Sequence, residues 1–161
     1  MAIRKKRKSE KTSRKRLEDD LDVLWHSVGK ENAFCAVCAT LPKEEQVNYS
    51  KLDAHHIIGR GNHLTRWDLK NRCFLCSSHH TFGKKQAEKN QGGWFLVWDE
   101  DYNKDWMGTY RKSDKLYLLE KRKVPFKHWT MDELREIKAE LIRFRDNPVS
   151  NPYEDSILAN L

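Results

Sequence analysis

Apolar residues first recur at helical spacing at Leu17, Leu21, Leu24, Trp25 and Val28, with Glu18, Asp19, Asp20 and Asp22 mostly on the opposite face. The spacing predicts a helix over 17–28, with Gly29 as its stop. Residues 39–50 are polar and contain Pro42, hence a loop. Residues 51–58 read as a short strand, 59–65 as a glycine-containing loop, and 71–75 as a second strand or turn. A helix then starts near Cys76 or Ser77 and runs toward Lys89. Residues 94–98 are aromatic and β-branched, predicting a buried strand or short helix, and 116–119 form another short apolar run. Thr130-Met131-Asp132-Glu133 has capping-box form, and Leu134, Ile137, Leu141 and Phe144 follow at helical spacing. That predicts a helix over 131–145, closed by Asn147-Pro148. A polar tail with Pro152 reads as flexible.

Composition changes this picture at one end of the chain. Of 161 residues 34% are charged and 38% hydrophobic, so part of the chain is expected to lie outside any core. The net charge is +7, and residues 1–16 alone hold nine Lys/Arg against Glu10, which leaves the remainder near neutral. Residues 1–16 therefore read as a disordered basic arm, with Arg4, Lys5, Lys6, Arg7 and Lys8 as its densest run. Such an arm neutralises phosphates and gives salt-sensitive, sequence-independent affinity for nucleic acid. Its plainer reading is a solvated tail. No stretch approaches the roughly 20 apolar residues that span a bilayer, and no apolar segment backs the basic N-terminus as a secretory signal requires.

The chemistry concentrates between residues 35 and 80. Cys35 and Cys38 form one C-x-x-C pair, and Cys73 and Cys76 another. Without a sign of an oxidising destination, metal binding is favoured over disulfides and an intracellular location follows. Between and beyond the cysteines lie His55-His56, Asn71 and His79-His80. A core has little use for so many imidazoles, because histidine is only moderately buried in proteins. A neutral imidazole serves both as a metal ligand and as a base near neutral pH.

This run resembles the HNH, or ββα-metal, endonuclease family in its zinc-stabilised, phage-type form. The family motif is an acidic residue or His directly before a catalytic His, then an Asn, then a His nine residues on. Here those positions are His55-His56, Asn71 and His80, and the approach from Thr65 to Asn71 is also similar to phage members. The resemblance covers roughly residues 33–85. It implies an α+β fold with a small ββα-metal core, in which His56 is the general base and Asn71 orients it. His55 and His80 are then ligands to one divalent cation, Mg²⁺ or Mn²⁺, or a softer ion such as Zn²⁺ or Ni²⁺. The family often has Pro where this chain has Gly59.

Two registers are open for a structural Zn²⁺. Symmetry pairs Cys35 and Cys38 with Cys73 and Cys76, whereas the family register takes Cys76 and His79 and leaves His80 for the catalytic ion. Three thiolates with one imidazole is an accepted zinc set. Arg60 and Arg66 are candidate phosphate clamps through their guanidinium forks. Asp53, two positions before His55 on the same strand face, is an outer partner or an additional ligand.

The expected organisation is a basic arm over 1–16, a nuclease core with its N-terminal helix over 17–90, a helical extension over 91–146 and a flexible tail over 147–161. The expected partner is DNA, in the cytoplasm of a bacterial or phage-infected cell, with no membrane. Nicking is the reaction of one such site, and double-strand cleavage requires a dimer or sequential nicks. The competing expectation is a non-catalytic zinc-containing nucleic-acid-binding module.

Overall fold

The computed structural model describes residues 2–31, 33–42, 44, 51–82, 87, 111–124 and 127–147, with the side chains of 2–11 and of Thr40 excepted. The architecture is α+β: among the described residues, three α-helices surround a two-stranded antiparallel sheet. The expectations for 94–98 and for the tail from 148 onward lie outside the described residues.

Helix α1 spans Ala2–Ser27 and so begins some fifteen residues earlier than the apolar pattern predicts. The arm expected to be disordered is the first part of this helix. The local reasons are plain: residues 2–27 contain no Pro or Gly, and Lys and Arg are good helix formers. Pairs one turn apart continue the helix across the predicted boundary, Arg14–Glu18 at 3.6 Å and Lys15–Asp19 at 3.1 Å. The predicted stop holds, with Gly29 at a φ of 66° and the Lys30 N–H bonded to the Ser27 carbonyl.

Strand β1 is Leu52–His56 and β2 is Arg72–Cys76, paired antiparallel with His55 opposite Cys73 and His56 opposite Arg72. The predicted strand over 51–58 is shorter by Lys51 at its start and by Ile57 and Ile58 at its end, which turn away to bond Asn71. After β2 the backbone winds into a π-helical turn, Ser78–Phe82. The helix expected to reach Lys89 is described only that far, with Ala87 buried beyond it. Helix α2 is Lys112–Lys123 and α3 is Met131–Asp146.

Two apolar clusters hold these elements. Leu21 and Trp25 of α1 meet Leu134 and Leu141 of α3 together with Ala54 and Trp67. Burial of each such leucine contributes about 2 kcal/mol. Lys138 to Asp20 at 2.6 Å and Arg14 to the Trp129 carbonyl at 2.9 Å flank that seam. The second cluster joins Cys35, Val37, Leu52, Ile57, Ile58 and Leu75 to Leu118 of α2. Among the described residues no helix is long and apolar enough to cross a membrane.

The start of α3 matches its sequence signal: the Thr130 hydroxyl accepts from the Glu133 N–H at 3.2 Å, and the Glu133 carboxylate accepts from the Thr130 N–H at 2.7 Å. The Thr130 N–H, Lys127 and the Thr130 hydroxyl hold the Glu133 carboxyl down at about 2, from an ordinary 4.5. A depressed folded-state pKa stabilises above the unfolded value and is lost as pH falls through the folded one. Thermal melts of wild type and Glu133→Gln should therefore differ above pH 4.5 and converge as the pH approaches 2. A difference that persists unchanged at pH 2 would show that the carboxylate's charge is not what the cap uses.

Candidate metal centre and the histidine face

Cys35 and Cys38 stand on a tight turn tied to β2 by the Ala36 N–H, which bonds the Phe74 carbonyl at 2.9 Å. Cys76 ends β2, and His79 follows on the π-helical turn. The donor atoms of these four residues all lie within 4.8 Å of one another. His79 Nδ1 is 3.5 Å from the sulfurs of Cys35 and Cys38 and 3.3 Å from that of Cys76, and the Cys38 and Cys76 sulfurs are 3.9 Å apart. A tetrahedron with Zn–S about 2.3 Å and Zn–N about 2.0 Å has edges of about 3.8 and about 3.5 Å. The four residues fit a structural metal such as zinc.

The electrostatics suit a cation as well. Burial resists charge on Cys35, yet His79 and the N–H groups of Cys38, Cys76 and Val37 bring its thiol down to about 6. Burial and the neighbouring Cys35 push Cys38 up, and burial raises Cys76 too. Three sulfurs that resist ionising together lose that conflict around a divalent ion.

The symmetric register with Cys73 is excluded by the pleat. Cys73 and Cys76 are three residues apart on one strand, so their side chains leave opposite faces. Cys73 is buried against the core, 3.9 Å from the His55 carbonyl, and burial drives its thiol up. It packs as a small apolar side chain.

The same alternation separates His55 from His56. His55 shares its face of β1 with Asp53 and meets His80, their rings 5.4 Å apart at 75°. His80 Nδ1 is 3.7 Å from Asp53 Oδ2. Burial first, then His80 and His56, lower the His55 pKa to about 4, so the ring is neutral at neutral pH, the form that ligates a metal. Adjacent residues on the helical turn also diverge, which sends His79 to the sulfurs and His80 to His55.

His56, on the other face, stacks on Trp25 of α1 with ring centroids 3.8 Å apart and planes 12° from parallel. Its Nε2 is 2.8 Å from the Arg66 carbonyl. A carbonyl only accepts, so Nε2 carries the hydrogen and Nδ1 is the basic nitrogen. Burial lowers its pKa to about 4 against the opposing pull of that carbonyl. Asn71 is fully buried. Its Oδ1 accepts from the Ile58 N–H at 2.6 Å, while its Nδ2 donates to the carbonyls of Ile58 at 2.8 Å and Thr65 at 3.0 Å. It thereby clamps both ends of the loop that supplies the Arg66 carbonyl to His56.

Arg60 is exposed on that loop and close enough to act on Asp22, His26 and His56. Arg66 is a correction. Its guanidinium is taken by Asp22 at 3.1 and 2.6 Å, so it braces α1 against the loop instead of facing solvent as a phosphate clamp. Burial opposes charge on Asp22, but hydrogen bonds from Arg66 and the Trp67 indole hold its carboxyl below the usual range. The side chains of Arg4, Lys5, Lys6, Arg7 and Lys8 lie outside the described set; their backbone is helical. Sequence reasoning missed Asp22 and Trp25 as neighbours of the histidines, having placed the first on a polar helix face and the second in generic core. The His26 ring lies 6.3 Å from that of His56.

Comparison with protein-family models, curated proteins and solved structures found no match for this chain.

Proposed function

We propose that this protein is a metal-dependent endonuclease of the HNH type that hydrolyses DNA phosphodiester bonds. The observation that carries the reading is the convergence of His55 and His80 across β1 and the π-helical turn, with His56 oriented on the adjacent strand position. Two neutral-capable imidazoles and a nearby carboxylate suit a divalent cation, and His55 and His80 would hold it. Such an ion, when bound, supplies Lewis-acid stabilisation to charge building on the scissile phosphate.

The chain's own residues account for the rest. His56 takes the proton from the attacking water at Nδ1, its ring fixed by the Trp25 stack and the Arg66 carbonyl. Asn71 keeps that carbonyl in place by pinning Thr65 and Ile58. A metal held by Cys35, Cys38, Cys76 and His79 would tie β2 to the turn that carries Cys35 and Cys38 and so fix where His80 emerges. Arg60 is available to a phosphate oxygen. The basic half of α1 would follow the DNA backbone as a helix, with affinity that falls steeply with salt.

The test is nicking of supercoiled plasmid by wild type and His56→Ala with added Mg²⁺ or Mn²⁺, and with EDTA. Metal-dependent nicking should fall by about 10²–10⁴-fold in the variant, with DNA retardation on a gel unchanged. If neither protein cuts plasmid or branched DNA under any metal while both retard it, the chain is a zinc-containing binding module instead.

A further inference from the structure

Between α2, α3 and residues 64–70 lies an open groove of about 380 Å³, a size that accepts a small planar ligand. None of the cysteines or histidines described above lines it. Trp67, Trp129 and Phe144 give it aromatic walls, and Tyr117, Lys70 and Lys121 stand along it. The rings are fixed. The Trp129 indole N–H donates to the His63 carbonyl at 2.7 Å, and Lys127 lies over that ring, 4.0 Å from its centroid. The Tyr117 hydroxyl donates to Asp68 Oδ2 at 2.7 Å. Lys70 and Lys121 bring their ammonium groups to 4.7 and 5.3 Å from the Tyr117 centroid, and among the described residues neither is paired with a carboxylate. Of the carboxylates on the groove, Asp68 is taken by Tyr117 and by the Lys70 N–H at 2.8 Å, and Glu140 is exposed.

We propose that this groove holds one unpaired nucleotide of a DNA strand, its base against the Trp129 and Phe144 rings and its phosphate on Lys70 and Lys121. Fixed aromatic rings beside ammonium groups without a carboxylate match a ligand with a flat apolar body and an anionic end. The net charge of +7 on the chain favours a nucleic acid over an acidic peptide. A base inside a duplex hides both faces in the stack, so only an unpaired one can enter. The groove is also tied to the histidine face. Trp25, which stacks on His56, donates its indole N–H to the Asp68 carbonyl at 3.0 Å. The choice of DNA rests on the functional reading above and deepens it: the substrate is DNA with an unpaired stretch near the cut.

The experiment follows fluorescence anisotropy of a labelled oligothymidine, a duplex of the same length and a strand of the same length without bases, on the full chain with no divalent cation added. The strand without bases should bind wild type ~10-fold more weakly than oligothymidine, the loss expected when stacking is removed. The double change Lys70→Ala with Lys121→Ala should weaken oligothymidine by ~10-fold and leave the duplex, held by the basic half of α1, nearly unchanged. Circular dichroism should show that variant folded. Photo-crosslinking of a 5-iodouracil strand to wild type needs no variant, and the adducts should map to Trp129, Phe144 or Tyr117. Equal affinity for the strand without bases, equal loss on strand and duplex, or adducts outside the groove overturns the proposal. An acidic, aromatic-rich peptide that needs the two lysines when the strand does not would overturn it too, and make the groove a protein-docking site. A strand affinity that depends on the lysines and on the bases, in a protein that never cuts DNA, would sink the nuclease reading alone. Plasmid nicking abolished by His56→Ala, with strand binding indifferent to bases and lysines, would sink this inference alone.

Discussion

A structural metal such as zinc, taken up by the Cys35, Cys38, Cys76 and His79 cluster, should be lost in Cys76→Ser, and with it the folded state at room temperature, whereas Cys73→Ser should leave metal uptake unchanged. The two positions look equivalent in a C-x-x-C pair, yet Cys76 lies within 4.8 Å of three other donors and Cys73 faces the core. Apparent binding free energies of structural zinc run to about 10–16 kcal/mol in small domains, as large as the whole stability of a typical one. The described apolar clusters are small, and the cysteine pair Cys35 and Cys38 reaches β2 through this centre. Metal analysis of the purified variants, followed by thermal melts with and without EDTA, checks the outcome. Stoichiometric zinc in Cys76→Ser or His79→Ala, with loss in Cys73→Ser, would reverse the ligand assignment.

Arg111→Ala should destabilise the chain by about 3–5 kcal/mol, the range seen when one partner of a buried ion pair is removed. Arg111 is 6% exposed and Asp114 1%, and the guanidinium donates to the Asp114 carboxylate at 3.0 and 2.8 Å. The same guanidinium donates to the carbonyls of Arg72 at 2.6 Å and Lys70 at 2.8 Å. Those carbonyls bracket Asn71, so Arg111 carries α2 onto the backbone that positions the loop clamp. Removing the arginine takes the guanidinium at 2.8 Å away from the buried Asp114 carboxylate and a donor away from each of the two carbonyls. Replacing both partners, as in Arg111→Met with Asp114→Leu, should cost less than the single change, because no charge is then stranded. Urea unfolding of the three proteins measures this. A cost below ~1 kcal/mol for Arg111→Ala would mean that water or another group takes over the pair. A chain cut after residue 90 lacks Arg111 altogether, and its β2 should be correspondingly less protected in hydrogen exchange.

These two cases divide what could be read early from what could not. The capping box at Thr130 and the apolar stripe of α3 were legible because cap and period act within one or two turns. The burial of Leu21, Trp25 and Val28 followed from the same periodicity. The extent of α1 did not, because a dense run of charge reads as disorder, whereas the absence of Pro and Gly and the one-turn ion pairs support a helix. Arg66 looked like a free guanidinium in a loop; Asp22, 44 positions earlier, claims it.

By itself the sequence determined the donor types, their spacing and the order of a strand, a loop, a second strand or turn and a helical segment, since each is a property of neighbouring residues. The tertiary structure alone decided which cysteine joins the candidate metal cluster, which face each histidine takes and which arginine stays exposed. The pleat reverses a side chain at every residue, so a spacing of three puts Cys73 and Cys76 on opposite faces once their segment is a strand. Partners such as Asp22 with Arg66, or Arg111 with the carbonyls around Asn71, meet only when distant segments pack, and no local pattern encodes that meeting.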